Sequence, residues 1–107
     1  AQAIKIKGIG YELEPLIIVA QKGLNTKISF DLTSFDNPNG TYSIIDGNTG
    51  DIIKEFEGKK GIVEVEFMLN KPGFYGIVYG QELLGLMEAV DNIDSVNIEN
   101  IRKRYIQ

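Results

Sequence analysis

Two short loops hold most of the hard oxygen chemistry in this 107-residue chain. Asp36, Asn37 and Asn39 flank Pro38 and precede Gly40, and Asp46, Asn48 and Asp51 flank Gly47 and Gly50. Carboxylate and amide oxygens suit calcium, which takes roughly 6 to 8 of them. Neither loop has a glutamate at the spacing that closes an EF-hand. Asx residues beside glycine also form turns on their own account, because their side chains bond the backbone two residues on. Paired carboxylates could in principle run acid–base chemistry. Here Glu64 and Glu66, and likewise Glu55 and Glu57, alternate along single strands. That pattern reads as a wet outer face that discourages edge pairing. Ser29, Ser34, Ser43 and Ser95 have no histidine to activate them. Gly8-Ile9-Gly10 opens no helix and is no phosphate loop. Tyr42, Tyr75 and Tyr79 could line a carbohydrate- or protein-binding face, although cross-strand packing is the commoner use of such rings.

What is missing is as informative. The chain has no histidine and no cysteine. It therefore lacks the usual general base, thiol nucleophiles, disulfides and the commonest soft metal ligands. Met68 and Met87 both fall within strand patterns, where core packing is expected of them. No catalytic, cofactor-binding or metal-binding residue is assigned. The net charge of −4 lacks the basic face of a nucleic-acid footprint. The longest apolar run, Leu16 to Ala20, is far short of the ~18 residues of a membrane span. The chain opens on Ala1, so the expectation is a processed or excised fragment of a longer protein.

The elements that carry these residues read as strands. Val63, Val65, Phe67 and Leu69 alternate with Glu64, Glu66 and Met68, the period of a half-buried strand. Asn70-Lys71-Pro72-Gly73 then breaks the pattern, and Phe74 to Tyr79 resumes it, so residues 61 to 79 are expected to form a β-hairpin. Earlier, residues 3 to 9 form a first strand with Ile4 and Ile6 on one face. Tyr11 to Pro15 is a link. Leu16 to Ala20 is a strand covered on both faces, and Ile28, Phe30 and Leu32 mark a third. Thr41 to Ile45, Ile52 to Glu57 (with Ile52 and Phe56 on one side) and Leu83 to Val90 complete the set. After Asp91 the spacing of Ile98, Ile101 and Tyr105 predicts a short amphipathic tail helix packed on the sandwich. Asp91, Asp94 and Asn97 are candidate caps, and Arg102, Lys103 and Arg104 suit its C-terminus. About eight short strands with regular turn signals predict one all-β sandwich domain over residues 1–107, with 91–107 as a tail.

Two segments resemble cupredoxins. Pro15-Leu16-Ile17-Ile18-Val19-Ala20-Gln21-Lys22-Gly23, with the alternating strand through Phe30, is similar to the family's proline, strand, turn and next strand. Pro72-Gly73-Phe74-Tyr75-Gly76-Ile77-Val78-Tyr79, then Gly85 to Asp91, resembles its Pro-Gly-aromatic strand, ligand loop and last strand. More narrowly, the chain resembles the extracytoplasmic cupredoxin-like domain of bacterial membrane proteins of the sulfite-exporter and heavy-metal-transport type. The resemblance implies a Greek-key β-sandwich whose first and third strands pair in parallel, unlike those of an immunoglobulin constant-type sandwich. It also implies copper ligands near Asp36 to Gly40 and between Tyr79 and Gly85, where this chain has Asn-Pro-Asn-Gly and Gly80-Gln81-Glu82-Leu83-Leu84. A blue-copper site needs two imidazoles and a thiolate, so the scaffold is expected without its metal. The resulting expectation is a non-enzymatic accessory or interaction domain of a larger bacterial protein, outside the cytoplasmic membrane. Its partners would be other domains of the parent or another protein, with no cofactor, nucleic acid or direct membrane insertion. The alternative is an immunoglobulin-like adhesion or carbohydrate-binding module, with calcium at the two Asx loops as an optional stabiliser.

Overall fold

The alternating segments form nine strands in two sheets in the computed structural model, which describes residues 1–106. They are β1 (Gln2–Gly10), β2 (Glu12–Glu14), β3 (Ile17–Gln21), β4 (Asn25–Phe35), β5 (Gly40–Asp46), β6 (Ile52–Gly58), β7 (Ile62–Met68), β8 (Gly73–Tyr79) and β9 (Glu82–Val90). A 3₁₀ turn at Ile93–Ser95 leads into a helix, α1 (Ile98–Ile106). One sheet has the order β2-β1-β4-β7 and the other β3-β9-β8-β5-β6.

Two pairings are parallel. β1 runs beside β4 from Gln2 opposite Thr26 to Gly10 opposite Phe35, and β3 runs beside β9 from Ile17 opposite Leu86 to Gln21 opposite Val90. The β1–β4 pair joins the first and third strands of the sequence reading, the arrangement expected of a cupredoxin sandwich. The inner faces meet in one core. Ile6, Ile28, Phe30, Leu32, Val65 and Phe67 from one sheet pack on Ile18, Tyr42, Ile44, Tyr75, Ile77 and Met87 from the other. Thr26 is the buried polar residue there, and its hydroxyl is satisfied by the Leu24 carbonyl at 3.0 Å and by Gln2 Nε2 at 2.9 Å.

The expected hairpin over residues 61 to 79 does not form. β7 pairs with β4, whereas β8 pairs with β5 and β9, so the two strands lie in opposite sheets. The connecting segment crosses the end of the sandwich. It is pinned there by Gly23 N–H to the Leu69 carbonyl at 2.7 Å and by the Tyr75 hydroxyl to the Lys71 carbonyl at 2.7 Å. Leu69 is buried in this crossing. The link at Tyr11 to Pro15 also differs from expectation, because Glu12–Glu14 pairs with β1 as a ninth strand. Met87 is buried as expected, but Met68 is 43% exposed because it falls on the outer face of β7 with Glu64 and Glu66, opposite the buried Val65 and Phe67. Ile52, on the other edge, is exposed while Phe56 stacks on Phe30 and Tyr42 at 4.9 and 5.2 Å. Lys54, Glu55 and Glu57 on β6, and Glu64 and Glu66 on β7, put charge on these open edges.

The tail helix forms and explains why Ile17–Ala20 is buried on both faces. Ile18 and Ala20 enter the main core, while Val19 packs outward with Val90 against Ile101 of α1. Asn97 caps the helix, its Oδ1 accepting from Asn100 N–H at 3.0 Å. Asp91 and Asp94 do not serve as caps; Asn92 caps the 3₁₀ turn instead, accepting from Asp94 N–H, and Asp91 pairs with Lys22 at 3.4 Å. Arg102 Nε donates to the Ile17 carbonyl at 3.1 Å, and the Tyr105 hydroxyl donates to Glu88 Oε1 at 2.6 Å.

Two phenols carry a pH signature of this packing. Burial, with Tyr79 nearby, pushes Tyr42 up to about 12. Burial, then its hydrogen bond to Glu88, pushes Tyr105 up to about 12. The fold thus favours the neutral phenols over their ordinary value of 10.0. The stability they contribute is full below about pH 10 and is lost as pH rises through about 12. Alkaline titration followed by tyrosinate absorbance and circular dichroism should therefore show late phenol ionisation coincident with loss of structure. Tyr105 ionising near pH 10 with α1 still docked would contradict this coupling.

Candidate functional site

The two segments that the resemblance singled out, residues 36 to 40 and 79 to 85, come together at one end of the sandwich. The loop between β4 and β5 is held there by tyrosine hydroxyls. Tyr42 donates to the carbonyls of Asn37 and Pro38 at 3.1 and 3.0 Å, and Tyr79 donates to the carbonyl of Asn39 at 2.7 Å. The Tyr42 and Tyr79 rings lie 4.8 Å apart. Gly40 completes the clamp. Its φ is +133°, and a Cβ there would sit 2.6 Å from Tyr79 Cε1. The turn after β1 joins the same end through Asp36 N–H to the Gly10 carbonyl at 2.8 Å. Between these parts lies a cleft of about 150 Å³, lined by Tyr11, Phe35 and Tyr79 with Asn37, Glu82 and Leu84.

Other sequence candidates are placed apart. Asp36, Asn37 and Asn39 lie at one end of β5, and Asp46, Asn48 and Asp51 lie at the other, so the loops cannot share one cation. Asp46 Oδ1 accepts from the N–H groups of Asn48 and Thr49 at 2.8 and 3.2 Å, the geometry of an Asx turn. Among the described residues no three His, Cys, Asp or Glu side chains converge as a metal-holding group. Glu64 takes a hydrogen bond from Ser29 at 3.3 Å and an ion pair from Lys27 at 3.5 Å on the outer face of the four-stranded sheet. Glu57 accepts from the Thr41 hydroxyl on the other outer face. These carboxylates are exposed and serve no shared centre. Of the three tyrosines singled out in the sequence, Tyr42 is buried, Tyr75 is buried except where it borders a separate groove with Asp46, Asp51 and Lys71, and Tyr79 lines the loop-end cleft. Tyr11, 77% exposed, and Phe35 are cleft aromatics that sequence reasoning missed; for Tyr11 its place at the head of the proline-containing link was the available signal.

No known family profile matches the sequence, and no curated protein does. Solved structures do match. Auracyanin from Roseiflexus castenholzii superposes with a TM-score of 0.64 at 18% identity, over 84% of this chain and 98% of that one. A copper binding protein solved in its apo form superposes with a TM-score of 0.64 at 19% identity, over 82% and 86% of the two chains. Auracyanin A, a "blue" copper protein from Chloroflexus aurantiacus, gives 0.60 at 17% identity, over 84% and 100%. The fold is cupredoxin-like. At this level of identity the likeness establishes the sandwich and its topology.

A cupredoxin fold implies copper, so the donor set at the loop end decides whether copper fits. Type 1 copper is held by two imidazoles and a thiolate with a weak axial ligand. The cleft offers phenols, a phenyl ring, one amide and one carboxylate, and the chain has neither histidine nor cysteine. These residues do not fit a blue-copper centre. A groove of about 510 Å³ across the outer face of β1, β4 and β7 is lined by charges of both signs, including Lys5, Lys7, Asp31 and Glu64.

Proposed function

We propose that this chain is a cupredoxin-like domain that has lost its metal ligands and serves as a non-enzymatic accessory or interaction module of a larger bacterial protein, outside the cytoplasmic membrane. The observation that carries the reading is the donor inventory at the loop end, where oxygen and aromatic groups stand in place of imidazole and thiolate. Electron transfer through copper has no ligand set to run on. The narrower kinship, with the extracytoplasmic domains of sulfite-exporter and heavy-metal-transport type proteins, rests on the two sequence segments quoted above. An interaction role draws support from an apolar groove of about 270 Å³ between β9 and the end of α1, where Leu16, Leu83 and Ile106 are exposed together. Among the described residues no helix is long and apolar enough to cross a membrane, so attachment to one would come through the parent protein or a partner.

Copper loading tests the reading. Chelator-stripped protein, offered Cu(II) or Cu(I) and desalted, should retain less than stoichiometric metal and show no intense thiolate-to-copper absorption. Its amide spectrum should show no saturable shifts at Asn37, Tyr79 or Glu82. One tightly held copper per chain would overturn the proposal.

A further inference from the structure

We infer that the loop-end cleft is an aromatic cage for a small quaternary ammonium compound of choline size. Three rings from three separate elements line it: Tyr11 from the turn after β1, Phe35 from the end of β4, and Tyr79 from the end of β8. Aromatic faces carry negative charge density and attract cations, most strongly those too weakly hydrated to prefer water. Glu82, at the start of β9, adds a carboxylate to the same lining. Among the described residues it forms no ion pair, so its charge is not already answered within the fold. The Tyr79 hydroxyl does not compete for the site, because it is committed to the Asn39 carbonyl at 2.7 Å. That bond, with Gly40 packed beneath it, fixes one wall in advance, so little ordering is needed on binding.

Size and charge both select the ligand class. One water needs roughly 10–15 Å³ of such space, so a cleft of about 150 Å³ admits a group of several heavy atoms but no sugar chain or peptide. A carboxylate among rings disfavours anions. A compact alkylammonium satisfies both the rings and Glu82 without donating hydrogen bonds that the rings could not accept. The cage stands whether or not the domain serves a larger protein, and failure of copper to bind leaves it untouched.

The test is an amide NMR titration with choline chloride, run beside sodium chloride at matched ionic strength. A third titration uses 3,3-dimethylbutan-1-ol, which has choline's shape without its charge. Saturable shifts confined to Tyr11, Asn37, Tyr79 and Glu82 are expected with choline, and binding of the neutral isostere should be several-fold weaker. Tyr11→Ala, at an exposed position that leaves the core untouched, should weaken choline about three- to fivefold. Glu82→Gln should weaken it and flatten its salt dependence. Equal binding of the isostere, shifts outside the cleft, or no saturation with choline would each overturn the cage.

Discussion

Gly58→Ala is expected to destabilise the domain by about 3 kcal/mol, near the upper end of overpacking costs. Gly58 is buried at the end of β6. A Cβ there would lie 2.1 Å from Tyr42 Cε1 and 2.2 Å from the Pro38 carbonyl oxygen. In an open setting the ring would yield by rotation, but Tyr42 is buried between Phe56 and Tyr79 and its hydroxyl is tied to the Asn37 and Pro38 carbonyls. The backbone oxygen cannot rotate away without moving the β4–β5 loop. Chemical denaturation should show a lower midpoint with an unchanged slope. The loop-end amides of residues 37 to 40 should shift more than those of the opposite end. In a Tyr42→Ala background the added cost should fall without vanishing, because the carbonyl contact remains. A Gly58→Ala protein as stable as the parent would show that the loop does not pack as described.

Ile101→Asp should undock α1 while leaving the sandwich folded. Ile101 is buried against Val19 and Val90, and an ionised carboxylate there has no partner to offset its desolvation. Replacing a buried isoleucine alone costs about 2–5 kcal/mol. A nine-residue helix has little stability of its own in water, so loss of the docking face means loss of the helix. Hydrogen exchange should then show α1 amides at unprotected rates while β4 and β5 stay protected. The outer face of β3 becomes exposed as a result, so Val19 and Ile17 should make the variant more prone to associate. Global unfolding at the same denaturant concentration as helix loss would show that α1 is an integral part of the core instead.

Much of this architecture was legible in residue order because one physical rule repeats. Ile28, Phe30 and Leu32, or Val63, Val65 and Phe67, can only bury a common face as strands. The helix was legible for the same reason, through Ile98, Ile101 and Tyr105. Periodicity, however, names a face and not a neighbour. Asn70 to Gly73 has the composition of a hairpin turn, and nothing local distinguishes a turn that stays in one sheet from one that crosses to the other. The deciding contacts, Gly23 to Leu69 and Tyr75 to Lys71, include a partner distant in sequence. β2 escaped notice because three residues are too few to show a period. At the loop end, the missing imidazole and thiolate could be read directly, since an absent residue type needs no geometry. The cage could not be read, because Tyr11, Phe35 and Tyr79 are brought together only by the sandwich.

The parallel pairing of β3 with β9 has a consequence for how the chain is made. β3 has no other neighbour in its sheet, so residues 17–21 emerge early and then wait for residues 86–90. On a ribosome releasing the chain from its N-terminus, the five-stranded sheet cannot close until residues 86–90 have cleared the exit. Such long-range closures fold slowly, and in the interval Ile17 to Ala20 is an apolar strand without a partner. It is the segment for which a chaperone would have to compete with aggregation.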